Sequence, residues 1–131
     1  MQQWTFNTMI GAIRDPFFSP FAWVHSGLNF LFHQVIRRPL TRFIEEVRLL
    51  VRRRSSSSSS KKPFVVVFTG HSQGGASASY AAWFVSKHLD DLVKQGLVAV
   101  YCITFAAPMV SACLFADKKN IIYKLKRILI N

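Results

Sequence analysis

Ser72 stands at the centre of Gly70-His71-Ser72-Gln73-Gly74-Gly75-Ala76, directly after the apolar, β-branched run Phe64-Val65-Val66-Val67-Phe68-Thr69. A serine hydroxyl attacks a carbonyl carbon only when a base takes its proton and its oxygen is held exposed. Gly-x-Ser-x-Gly between a strand and a helix supplies the exposure, because the chain turns so sharply that the serine stands clear of both elements. Gly70 and Gly74 are expected to mark the places where strand and helix backbones crowd and a Cβ would collide. The backbone N–H of Gln73, at the start of the helix, is the natural donor to the oxygen of a tetrahedral intermediate. Gly75, Ala76 and Ala78 keep the helix start slim enough to press against a sheet. The competing reading is a glycine-rich turn ahead of an ordinary helix. Agreement between strand, turn and helix favours the nucleophile elbow.

A serine on such a turn works with an acid and a histidine, in the chain order Ser, Asp or Glu, His. After Ser72 the carboxylates are Asp90, Asp91 and Asp117, and no histidine follows Asp91. His88 lies sixteen residues on, along the same predicted helix. That is about 24 Å along the axis, far outside hydrogen-bond reach. His25 and His33 precede the serine and His71 adjoins it. The catalytic Asp and His are therefore unassigned, and the remaining alternative is a non-standard base folding back from among those three. No cysteine or histidine spacing suggests a metal site, and no cofactor is expected.

The elements that must position Ser72 are a strand before it, a helix after it and a second strand. Phe64–Thr69 reads as a parallel strand covered on both faces. A helix from about Gly75 to Val93 follows, Gly96 ends the connection, and Leu97–Phe105 is a second buried strand. Strand, helix, strand at this length is a βαβ unit, and Ala106-Ala107-Pro108 breaks the second strand at the edge where α/β sites lie. Upstream, residues 1–23 are aromatic and irregular, with Asp15-Pro16 and Ser19-Pro20 breaking any helix. Ser26 is the expected N-cap of a helix with Leu28, Leu31, Phe32, Val35 and Ile36 at helical spacing. Pro39 is expected to interrupt it and open a second helix. That helix has an apolar face of Leu40, Phe43, Ile44, Val47, Leu50 and Val51, and a polar face of Arg42, Glu45, Arg48 and Arg52. Residues 52–62 combine three arginines, six serines and two lysines, and read as a mobile basic linker. Residues 117–131 form a basic tail with an amphipathic pattern.

The length of 131 residues suits one domain. Seventeen basic against six acidic residues give a net charge of +11, which favours anionic partners. No nucleic-acid-binding motif accompanies that charge, so nucleic acid is set aside and an anionic membrane surface is kept. Cys102 and Cys113 are too few for a disulfide framework. The start lacks a secretory signal, and the uncharged span from Phe17 to Ile36 holds too many polar residues to cross a bilayer. Cytoplasmic residence is the default expectation, with the compartment itself unassigned.

Three segments in order resemble the class 3 lipases, the fungal-lipase-type α/β-hydrolases. Gly70-His71-Ser72-Gln73-Gly74-Gly75-Ala76 resembles the family's Gly-His-Ser-x-Gly-Gly-Ala. Thr104-Phe105-Ala106-Ala107-Pro108 resembles its Thr-Phe-Gly-x-Pro, and Val24-His25-Ser26-Gly27-Leu28 resembles its Val-His-x-Gly-Phe. Phe115-Ala116 echoes a following Phe-Ala. The resemblance spans residues 24–116 and implies Ser72 as nucleophile, His25 and His71 as structural residues, and a lipid ester such as an acylglycerol as substrate. The implied fold class is α/β: a partial α/β-hydrolase, with a mainly parallel sheet, flanking helices and a nucleophile elbow. The expected organisation is an irregular segment 1–23, a lipase-like core 24–116 and a tail 117–131. The family's Phe-Arg-Gly-Thr/Ser loop and its Asn-Asp-x-Val-Pro segment are absent, and Ala106 stands where the family has glycine. The expectation is therefore a truncated or partial domain. Plant lipase-like immune regulators share these motifs, so a catalytically inactive binding or regulatory protein is the alternative. A thioesterase or acyltransferase is disfavoured by the Thr-Phe-x-x-Pro and upstream His-x-Gly segments.

Overall fold

A computed structural model describes residues 12–17, 23–57 and 62–107. Its centre is a pair of parallel strands, β3 (Phe64–His71) and β4 (Val98–Phe105), paired in register from Phe64 with Val98 to His71 with Phe105. Between them the chain forms α3 (Gln73–His88) and the short α4 (Asp90–Lys94). The expected strand–helix–strand unit is present, and it sets the C-terminal ends of both strands side by side. The expected single helix to Val93 breaks instead at Leu89, a fully buried residue at φ −109°, ψ 16°. Asp90 and Asp91 then open α4, where carboxylates complement the partial positive charge of a helix start.

Among the described residues only one face of the sheet is covered, where cover on both was expected. Because side chains alternate along a strand, Phe64, Val66 and Phe68 share a face with Val98, Val100 and Cys102, and that face packs into the core. On the opposite face Val65 is 60% exposed and Val67 50%. A crossover helix covers only the face across which it passes, and the described residues supply no second layer.

The helix upstream is longer than the sequence suggests. The segments α1 (Ser26–Leu31), a π-helical turn (Phe32–Ile36) and α2 (Arg37–Ser57) follow one another without a break. Pro39 does not separate two helices. Proline lacks an N–H and crowds the carbonyl four residues back. The wider turn just before it, where the Arg37 N–H bonds the Phe32 carbonyl, opens the helix at that place and lets it continue. At the far end α2 runs through Arg52–Ser57, so this part of the basic linker expected over residues 52–62 is helical, and residues 58–61 lie outside the described residues. Two contacts hold this end: the Ser55 hydroxyl donates to the Val51 carbonyl at 3.0 Å, and the Arg54 guanidinium lies 4.8 Å over the Phe64 ring. His25, not Ser26, is the N-cap of α1, its Nδ1 accepting from the Leu28 N–H at 3.4 Å.

Part of the N-terminal segment is also ordered, where an irregular chain was expected. Strand β1 (Ala12–Arg14) pairs antiparallel with β2 (Trp23–His25). Prolines at 16 and 20 forbid a helix but not short strands on either side of them. Asp15 then accepts the Phe17 N–H at 2.8 Å, which turns Phe17 back into an aromatic cluster. Phe17 stacks on Phe84, and Phe32 stacks on Tyr80. Fully buried Phe32 and the buried residues of α3, Tyr80, Trp83, Phe84 and Val85, form the centre of the core with Ile44, Val47 and Val51 of α2. Truncating a ring buried like Phe32 costs about 3–5 kcal/mol. Cys113, the Phe115-Ala116 pair and the expected tail 117–131 lie outside the described residues.

Candidate active site

Ser72 is the single residue between β3 and α3. Its backbone sits at φ 51°, ψ −124°, a region that costs a non-glycine residue about 1–3 kcal/mol. Two hydrogen bonds hold it there. Its N–H donates to the Phe105 carbonyl at 2.9 Å, tying the turn to the end of β4, and its carbonyl accepts from the Ala76 N–H at 3.1 Å. A serine at an N-cap normally has extended backbone angles and returns its hydroxyl to the first amides of the helix. Here the positive φ turns the side chain away, the hydroxyl makes no capping bond, and the residue is exposed. The strain at this position is what keeps Oγ available.

The glycines around the turn divide differently from expectation. A Cβ on Gly70 would collide with the Gly74 carbonyl group and would lie 2.7 Å from the Gly75 nitrogen. Backbone meets backbone here, so no side chain can yield. A Cβ on Gly75 would meet the Ala107 Cβ at 2.8 Å and the Gly70 carbonyl oxygen at 2.9 Å. A Cβ on Gly74 would meet nothing within 4 Å, which corrects the expectation of crowding there. Gly74 faces Gly70 with its carbonyl, so a β-carbon on Gly74 itself points to open space. The second crowded position is Gly75.

Gln73 supplies the first amide of α3, and the opening amides of a helix have no intrahelical acceptor. This N–H and the helix's partial positive charge lie next to Ser72. Across the turn, Ala106 follows β4 with φ 48°, a second strained non-glycine position beside the first. Ala106 is the residue standing where the resembled family has glycine, and the left-handed angle gives the physical reason glycine suits that site.

The structure also shows where the histidines go. The His33 Nε2 lies 2.7 Å from Asp15, and that pair packs against Phe17 rather than against Ser72. His25 caps α1. The His88 Nδ1 lies 2.8 Å from the Phe84 carbonyl at the distal end of α3. His71 lies exposed at the end of β3, on the open face of the sheet with Val65 and Val67. Asp90 pairs with Lys94 and Asp91 with Arg48. Among the described residues no histidine or carboxylate is paired with Ser72. The Asp15–His33 pair was not legible in the sequence: eighteen residues and a turn separate the two, and no periodicity joins them. Burial works to raise the Asp15 pKa, but hydrogen bonds from the Phe17 N–H, His33 and Asn29 outweigh it and hold the carboxyl below its ordinary value. No described helix is long and apolar enough to cross a membrane.

A strained, exposed serine thus stands between a parallel strand and a helix, with glycine at the closest backbone approach. The family model for lipase (class 3) matches residues 3–129, nearly the whole sequence, and the chain belongs to that family. The match extends beyond the residues 24–116 that carry the motif resemblance. No curated protein matches the chain significantly. Family membership implies lipid ester substrates in general.

Proposed function

We propose that this chain carries the nucleophile-bearing part of a lipid ester hydrolase, with Ser72 as the residue acylated by an acylglycerol or related ester. The observation that carries this reading is the Ser72 backbone, strained at φ 51° with its hydroxyl kept off the helix start. In the step proposed, Oγ attacks the ester carbonyl and its proton passes to water, since no described side chain is paired with the hydroxyl. The carbonyl oxygen gains the negative charge and accepts the Gln73 N–H. Collapse of the intermediate expels the alcohol and leaves an acyl-serine, which water then hydrolyses. The proposed frame is an α/β-hydrolase sheet of which β3 and β4 are two strands. An anionic membrane surface is the proposed setting, supported by the net charge of +11. A second reading, a lipase-like module that binds lipid without turning it over, is favoured by one observation: no described histidine or carboxylate is paired with Ser72.

A fluorophosphonate probe followed by peptide mass mapping tests both readings. Covalent labelling at Ser72, ahead of every other serine and lost in Ser72→Ala, is expected from the 131-residue chain. Its rate should fall about 10⁴–10⁶-fold below that of a complete triad, because the strained turn and one oxyanion donor remain without the base. Labelling of other serines as readily as Ser72 overturns the nucleophile assignment and leaves the binding module.

A further inference from the structure

Away from Ser72, the first turns of α2 and the end of the π-helical turn form an open groove of about 510 Å³, lined by His33, Arg37, Arg38, Thr41, Arg42 and Glu45. Three guanidiniums face one carboxylate there. Arg38 and Arg42 are exposed, make no ion pair among the described residues, and stand four residues apart on one helix face. The groove is also braced. The Asp15 carboxylate holds both the His33 Nε2 and the Phe17 N–H, and the Phe17 ring lies 4.5 Å under the Arg37 guanidinium. A guanidinium stacked on a ring keeps its in-plane N–H edge for an acceptor. The Thr41 hydroxyl hydrogen is committed to the Arg37 carbonyl at 3.1 Å, so the donors the groove offers outward are the arginines. Its chemistry therefore selects a ligand rich in acceptor oxygens and negative charge, the description of a phosphate group.

The flank of the groove decides between a soluble phosphate and one on a lipid. Arg38 and Arg42 lie four residues apart on one face of α2, and Val35 stands in the π-helical turn just ahead of them. Val35 is 57% exposed, and Phe30, five residues earlier across the π-helical turn, is 46% exposed. Large apolar side chains next to unpaired arginines match a bilayer interface, where phosphates lie above the start of the acyl chains.

We propose that this groove docks the phosphate of an anionic phospholipid headgroup, with Arg38 and Arg42 donating to it and Val35 and Phe30 resting against the lipid surface. The proposal rests on the membrane setting proposed above and is independent of chemistry at Ser72. The test is therefore made in the full 131-residue chain carrying Ser72→Ala. Sedimentation with phosphatidylcholine vesicles is compared with sedimentation with vesicles that also contain phosphatidylglycerol. The variants are Arg38→Gln/Arg42→Gln and, with the same loss of charge farther along α2, Arg52→Gln/Arg53→Gln, each checked for an unchanged circular dichroism spectrum. A basic residue at an anionic surface contributes about fivefold in affinity, so the groove pair should lose about thirtyfold, and the distal pair only a few-fold. Equal losses in the two double variants overturn the groove and leave a diffuse charge effect. No preference of the parent chain for anionic vesicles overturns the membrane setting itself. Saturable micromolar binding of inorganic phosphate, abolished by Arg38→Gln/Arg42→Gln while vesicle binding persists, assigns the groove to soluble phosphate and overturns the lipid proposal.

Discussion

Replacing Gly70 and Gly74 one at a time with alanine separates two residues that the pentapeptide motif treats alike. At Gly70 the new Cβ would fall against the Gly74 carbonyl and 2.7 Å from the Gly75 nitrogen, all main-chain atoms of the first turn of α3. Overpacking of this kind costs about 1–3 kcal/mol, and a backbone neighbour that cannot rotate away puts Gly70→Ala near 3 kcal/mol. At Gly74 nothing lies within 4 Å, and the residue is already helical. Alanine there gains helix propensity and reduces the freedom of the unfolded chain, for about 0.5–1 kcal/mol of added stability. The two single variants should therefore differ by about 3–4 kcal/mol. At about 3–5 °C per kcal/mol for a domain of this size, Gly70→Ala lowers Tm by about 10 °C while Gly74→Ala raises it by a few degrees. Urea unfolding followed by tryptophan emission reads both, since Trp83 is buried at 4% exposure and reports loss of the core. Gly74→Ala destabilising by about 1 kcal/mol or more, or Gly70→Ala within about 0.5 kcal/mol of the parent, would refute the backbone-contact reasoning.

The Arg48 guanidinium donates to both oxygens of Asp91, at 2.7 and 2.8 Å, and to the His88 carbonyl at 2.5 Å, fastening α2 to the junction of α3 and α4. The hydrogen bonds from Arg48 hold the Asp91 carboxyl below its ordinary value, so its contribution is present above about pH 4 and is lost as pH falls through the lowered folded value. Both side chains are partly solvated, at 32% and 52% exposure, so Arg48→Gln should cost about 0.5–1 kcal/mol at neutral pH, with the two Tm curves converging in acid. Curves that stay parallel down to about pH 2 would show that the pair contributes nothing through Asp91 ionisation. At the end of β4, Ala106→Gly should stabilise by about 1 kcal/mol in urea unfolding, because glycine adopts φ 48° without the clash that alanine bears. A loss of stability there would mean that the Ala106 methyl packs more than its backbone strains.

The order of elements around Ser72 was legible because each local signal agreed with the next. β-Branched residues over 64–69, a glycine-flanked serine and a small-residue helix start all describe one strand, one turn and one helix. Composition said less at residues 52–57, where arginines and serines read as a linker. There the helix runs on to Ser57, with Ser55 bonded back to Val51 inside it, and the Arg54–Phe64 contact is not visible until β3 comes back alongside. Pro39 misled for the same reason: its rule is local, and a wider helical turn absorbed it. The glycine pattern marked a tight strand-to-helix turn but not which glycine meets backbone, since that depends on how closely α3 approaches β3 and β4. The sequence by itself determined a serine raised on a strained turn at the end of a parallel strand, because backbone sterics and residue order are carried by neighbours in the chain. Only the tertiary structure decided which face of the sheet the described residues cover, and that Asp15 braces His33 and Phe17. Those outcomes come from contacts between segments whose spacing carries no period, and packing alone selects them.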